Sequence, residues 1–91
     1  MQFEWDAEKA ASNLAGHGVS FDEASTVFGD PLAETVPDED HSIDEQRELT
    51  IGVSLASRTV VLWHTSRGDV IRIIGARLAM ATERRTYESG E

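Results

Sequence analysis

The chain contains no cysteine, which excludes disulfide cross-links and thiolate metal sites. It has no apolar run near the roughly 18 residues that span a bilayer, and no charged-then-apolar leader opens it. Neither a membrane partner nor a signal peptide is therefore expected, and the cytoplasm is the default location. Positive charge is scarce as well. Eight Lys and Arg stand against 17 Asp and Glu, for a net charge of −9. A deficit of that size excludes a broad electrostatic funnel for nucleic acid. It is unevenly spread, however: residues 1–45 hold twelve acids and the single lysine, Lys9, whereas residues 46–91 hold all seven arginines and five acids. A local arginine-lined patch is thus compatible with the composition, but only in the second half.

What the chain does have is a globular composition, 40% hydrophobic and 27% charged, which separates it from disordered sequences. Its 91 residues suit one domain spanning the whole chain, burying roughly 60–65% of its unfolded surface. Met1 to Trp5 alternates polar with apolar, as a short edge strand does. Asp6 then caps a helix running to about Gly16, with Ala7, Ala10, Ala11 and Leu14 as its apolar stripe. Ser20-Phe21-Asp22-Glu23 is a capping box opening a second helix to about Phe28, which buries Phe21, Ala24, Val27 and Phe28. Gly29-Asp30-Pro31 ends it. Leu32 to Val36 is a candidate strand before the acidic loop from Pro37 to Ser42.

Three segments then carry the clearest strand signals. Leu49, Ile51, Val53 and Leu55 alternate with polar or small residues. Thr59 to Thr65 is almost wholly apolar, as in a central strand covered on both faces. Val70 to Ala76 follows a tight Arg67-Gly68-Asp69 turn. Leu78 to Glu88 is the closing helix, with Glu83, Arg84 and Arg85 on its wet side and Tyr87 turned inward. There is no repeat or linker. Two N-terminal helices, an antiparallel meander and a C-terminal helix make the class α+β.

Four stretches taken together resemble the BrnT toxin family. They are Phe3-Glu4-Trp5-Asp6 with Lys9 and Asn13; His17 to Phe21 through Val27-Phe28 and Asp30-Pro31; Asp40-His41-Ser42 with Glu45 and Arg47; and Ile71 to Ile74 through Ala76-Arg77, Ala79, Glu83-Arg84 and Tyr87. The resemblance implies a fold like that of RelE-type ribonucleases, endoribonuclease activity that arrests translation, and a BrnA-type antitoxin partner. Three acids and His41 in the loop also suggest a divalent metal site, but their spacing matches no known ligand pattern, so neither metal nor cofactor is expected. A −9 chain without a basic recognition helix is expected to meet DNA only through the antitoxin. Two positions depart from the family pattern. Gly16 stands where a lysine is usual, and Gly75 where a serine is usual. The loss of a cation and a hydroxyl points to the alternative of a catalytically weak toxin that acts only as an antitoxin-binding module.

Metal-free RNA cleavage needs a proton acceptor for the 2′-hydroxyl, a proton donor for the leaving 5′-oxygen, and fixed cations on the phosphate. His64 is the first candidate for acid or base, with a structural role in the sheet as its alternative. If a two-residue loop joins its strand to the next, His64 and Arg72 fall on opposite faces; a three-residue loop puts them on one. Arg72, inside an apolar strand, needs a carboxylate or a phosphate. Arg77, placed at the start of the last helix, has the same two readings. Arg47 follows the acidic loop, where an ion pair competes with catalysis. His41 sits among carboxylates that favour its charged form, suiting a general acid. Arg84 and Tyr87 are the RNA-binding candidates, Tyr87 by stacking on a base and otherwise by packing. Glu83 is expected to pair with Arg84 or Arg85, and Trp5 and Trp63 to lie in the core.

Overall fold

The computed structural model describes residues 1–41 and 45–90. The strands are β1 (Gln2–Glu4), β2 (Glu34–Pro37), β3 (Glu48–Val53), β4 (Thr59–Arg67) and β5 (Val70–Leu78), and the helices are α1 (Ala7–His17), α2 (Phe21–Ser25) and α3 (Ala81–Ser89). The strands form one sheet in the order β1-β5-β4-β3-β2. β2 to β5 pair antiparallel as expected, but β1 lies parallel to β5, with Phe3 opposite Ile71 and Glu4 opposite Arg72. The sheet is therefore mixed rather than a pure antiparallel meander. The reason is topological: α1 and α2 carry the chain across one face of the sheet, so β2 forms at the far edge and leaves β1 to flank the last strand.

Local chemistry sets each helix. Asp6 Oδ1 accepts from the Glu8 and Lys9 amides at 2.8 and 3.0 Å, starting α1, and Gly18 ends it at φ 70°, a left-handed conformation open to glycine. The alanine stripe does not seat this helix: Leu14 is 52% exposed, and of the four stripe residues only Ala10 packs against the core. Asn13 does the seating. Its amide donates to the Val19 and Ala76 carbonyls at 2.9 and 2.8 Å and accepts from the Ala76 amide at 3.1 Å, taking the place of a strand beside β5 beyond the end of β1. The second helix is shorter than its sequence pattern predicts. Ser20 Oγ caps it at Glu23 N, but the Ser25 and Thr26 hydroxyls bond back to the Asp22 and Glu23 carbonyls. The chain there tightens into a 3-10 turn over Thr26–Gly29. Glu23 does not close the capping box; its carboxylate turns to Arg58 and Ser54.

The core lies between these helices and the sheet. Val19, Phe21, Ala24, Val27, Val60, Leu62, Ile73 and Ala76 are all at most 2% exposed, with Trp5 edge-on to Phe21 at 6.0 Å between centroids. Trp63 is not among them: it is half-buried on the other face. That second face carries Leu49, Ile51, Val61, Trp63, Thr65, Gly75 and Arg77, because side chains alternate along each strand. α3 lies beside part of it, leaving a groove of about 310 Å³ between Leu49, Ile51 and Val61 on the floor and Thr86 and Tyr87 on the wall. Among the described residues no helix is long and apolar enough to cross a membrane.

Candidate functional site

The hairpin between β4 and β5 decides which side chains meet. Arg67 pairs with Val70, so the loop is the two residues Gly68 and Asp69, and Gly68 takes φ 63° at its first position. Thr65 then faces Arg72 across the ladder, and His64 faces Ile73 on the opposite side of the sheet. A bulge that leaves Ile74 unpaired restores the alternation further along, keeping Gly75 and Arg77 on Arg72's face.

His64 is thereby withdrawn from the arginines. It is 2% exposed, edge-on to Phe28 at 5.1 Å, and its Nε2 lies 2.7 Å from Thr50 Oγ1, which in turn meets Thr35 Oγ1 at 2.7 Å. Nδ1 has no partner among the described residues. Nε2 is best read as the donor, since a bare nitrogen lone pair is a lesser loss than an unpaired N–H. Burial pushes the imidazole below its ordinary value of 6.5, against a smaller opposing pull from Glu48. A histidine so placed is enclosed within the fold, on the face of the sheet opposite Arg72.

The shift has a consequence for stability. The folded chain holds His64 neutral while the unfolded chain takes up a proton below pH 6.5, so the contribution is complete above that pH and is lost as pH falls through it. Denaturant unfolding from pH 7 down to 5 is expected to show wild type losing stability by up to about 1.4 kcal/mol per pH unit. His64→Gln, whose amide can keep the Thr50 hydrogen bond, should show a flatter profile. Parallel profiles for the two proteins would assign the loss to another group.

The arginines, by contrast, gather on the open face. Arg72 Nη1 meets Glu4 Oε2 at 2.6 Å, across the β1–β5 pair. Arg67 grips Glu45 with two hydrogen bonds, of 3.1 and 3.0 Å. The hydrogen bonds from Arg67 hold the Glu45 carboxyl below its ordinary value, and the charges of Arg67, Arg72 and Arg47 add to that. Arg77 lies over the Trp63 ring, 5.3 Å from its centroid, and grips Glu83 with bonds of 2.8 and 3.0 Å. Arg77 belongs to β5 rather than to the last helix, which begins at Ala81. Glu83 accordingly turns to Arg77 and the Met80 amide rather than to Arg84 or Arg85, and its carboxyl is held low chiefly by Arg77. Arg58 stands apart, in the β3–β4 turn, bonded to Glu23 and the Gly18 carbonyl.

Of the predicted residues, Arg72 and Arg77 thus share one face of the sheet, and His64 does not; Arg47 lies just before β3, where its charge acts on Glu45. Arg84 is exposed on α3. Tyr87 lines the groove beside the sheet and donates its hydroxyl to Asp30, which also accepts from the Val53 and Leu32 amides. Burial, followed by that carboxylate, pushes the Tyr87 phenol up to about 12. The Tyr87 hydroxyl therefore ties α3 to the rest of the domain and is engaged by protein. The backbone of His41 lies in a short 3-10 turn, Glu39–His41, whereas its side chain and Ser42 fall outside the described residues. Sequence reasoning missed Arg67, Glu4, Glu45 and Thr65. Arg67 was within reach of it, since Val61, Trp63, Thr65 and Arg67 share one face of a strand by simple alternation. Of the two atypical glycines, Gly75 sits on the open face beside Trp63, with room for a side chain. Gly16 is on α1, also in open space, beside a hollow shared with Lys9, Asn13 and Ile74.

A family model described as "Ribonuclease toxin, BrnT, of type II toxin-antitoxin system" matches residues 5–83. The crystal structure of the Brucella abortus ribonuclease toxin BrnT is similar, with a TM-score of 0.69 and 22% sequence identity over 88% of this chain and 97% of that one. At that identity the likeness is one of fold. Comparison with curated proteins found no match.

Proposed function

The chain belongs to the BrnT family of ribonuclease toxins of type II toxin–antitoxin systems, and from that membership we propose that it cleaves single-stranded RNA on the open face of its sheet. The observation that carries this reading is the placement of Arg67, Arg72 and Arg77 on one surface around Trp63 and Thr65, with Arg47 close enough to act on Glu45. Guanidinium groups clamp phosphate in two-pronged fashion, and the Trp63 ring holds the Arg77 guanidinium on the same face. Positive charge on the phosphate comes from arginines, so the reaction is proposed to be metal-independent.

In the proposed reaction Arg72 and Arg67 take the scissile phosphate in place of Glu4 and Glu45. The carboxylate of Glu45, freed from Arg67, accepts the proton of the 2′-hydroxyl, whose oxygen attacks phosphorus. The P–O bond to the 5′-oxygen breaks, and His41 protonates that oxygen, leaving a 2′,3′-cyclic phosphate and a 5′-hydroxyl. Arg77, on Trp63, holds a neighbouring phosphate. Cleavage of translated RNA arrests translation in the cytoplasm, and a cognate BrnA-type antitoxin relieves it, with DNA reached only through that partner.

A second reading is favoured by two observations. Arg58, Arg67, Arg72 and Arg77 each hold a carboxylate in the free chain, and Gly75 leaves the open face without a hydroxyl beside Trp63. This fits a toxin of low activity that survives as an antitoxin-binding module. Incubating the purified chain with single-stranded RNA and a chelator separates the two. Fragments ending in cyclic phosphate are expected; intact RNA, from a chain that binds its antitoxin tightly and is harmless when overexpressed, would leave only the module.

A further inference from the structure

We propose that the Thr65 hydroxyl is a phosphate-binding group at the floor of the open face, donating to a non-bridging oxygen of the phosphate that Arg67 and Arg72 hold. The inference rests on the reading of this face as the RNA site. It starts from a buried hydroxyl that no described residue engages. Thr65 is 1% exposed, and its Oγ1 has no hydrogen-bond partner among the described residues. An unsatisfied buried hydroxyl is unfavourable, and native proteins hold few of them.

The same sheet contains a control. Thr50, on the neighbouring strand and also 1% exposed, uses its hydroxyl on both sides, toward Thr35 and toward His64. The fold thus satisfies a buried threonine where the group is structural. At position 65 no described residue does so, although valine has the same shape and fills Val60 and Val61 a few residues earlier in the strand. Position supplies the ligand class. Thr65 pairs with Arg72 across the ladder and shares its face with Arg67 and Trp63, so the unused donor lies beneath a cluster of cations. The atoms that complete that cluster are the carboxylates of Glu4 and Glu45, in ion pairs that are 31–49% exposed and so yield readily to a competing anion. Each of the two non-bridging oxygens of a phosphodiester can accept more than one hydrogen bond, so one that is held by a guanidinium group can also accept from the floor. The second unpartnered atom, His64 Nδ1, lies on the opposite face beside Phe28 and belongs to no such cluster.

The test uses a single-stranded 2′-O-methyl RNA, which binds but cannot be cleaved, with wild type and the Thr65→Val, Thr65→Ser and Arg72→Ala variants. Dissociation constants at one fixed low salt concentration are measured alongside thermal melts. Thr65→Val is expected to melt at or above wild type and to bind about ten-fold more weakly, as for a lost hydrogen bond to a charged group; Thr65→Ser restores affinity. Undiminished binding by Thr65→Val, with Arg72→Ala impaired, would overturn the inference and leave the RNA face standing. Undiminished binding by both variants would overturn the RNA face itself. Weak binding by Thr65→Val accompanied by a lowered melting temperature and no rescue by serine would mark the residue as structural, and sink the proposal too.

Discussion

Replacing Arg67 and Arg72 together by alanine is expected to slow RNA cleavage by roughly 10³- to 10⁴-fold while the chain stays folded. Removing one preorganised group from the charge developing on a transition state typically slows a reaction about 10²- to 10³-fold, and groups acting on one phosphate combine less than additively. The double variant has a second effect in the same direction. It leaves Glu4 and Glu45 without their partners, and their negative charges then face an incoming phosphate. Folding should be little affected, because exposed ion pairs add little to stability. The informative companion is Arg58→Ala. Arg58 also holds a carboxylate, but in the β3–β4 turn next to α2, and its removal should leave cleavage unchanged. Rates measured on a fixed RNA, with melting curves for each variant, check the contrast. If Arg58→Ala slows cleavage as much as the double variant, the open face is not where RNA binds.

Phe21→Ala is expected to lower the melting temperature by roughly 15–30 °C, the largest effect on stability in the chain. Phe21 is 1% exposed, is the first residue of α2, and stands edge-on to Trp5. Truncating a buried phenylalanine costs about 3–5 kcal/mol, because the transfer energy and the cavity add. A domain of this length has only about 5–13 kcal/mol in total. Each kilocalorie per mole moves the midpoint of so small a domain by about 4–8 °C. The loss falls where the short helix, Trp5 and the sheet meet, and the exposed α1 can do little to offset it. Calorimetry on wild type and variant decides the matter; a shift of only a few degrees would mean that Trp5 and Phe28 collapse into the space.

Much of this architecture was readable from residue order, and the remainder was hidden for identifiable causes. The alternation of Leu49, Ile51 and Val53 and the apolar run of β4 predict strands because burial on one or both faces leaves a period in the sequence. Asp6, Ser20 and Gly18 mark helix ends through their own hydrogen bonds or backbone freedom. The partner of β1 leaves no such trace, since strand order depends on contacts some 68 residues apart, such as Arg72 with Glu4. Alanines in α1 misled because a methyl group gains little from burial, whereas Asn13, polar and unremarkable in a periodicity, holds the helix down. Arg77 reads as helical in sequence because nothing local separates the end of a long strand from the start of a helix. At the site, the clustering of arginines in the second half was plain in composition. Their carboxylate partners were not, because Glu4 and Glu45 come from the acid-rich first half. The face occupied by His64 turned on a single residue of loop length.

Asn13 gives α1 an unusual mode of attachment. No residue of this helix is fully buried, and one side-chain amide copies the peptide group of an absent strand neighbour beside Ala76. The Ala76 amide proton is thus shielded by a helix and not by the adjoining ladder. Its exchange with deuterated solvent reports how often α1 lifts from the domain as a unit, separately from any fraying of the sheet itself.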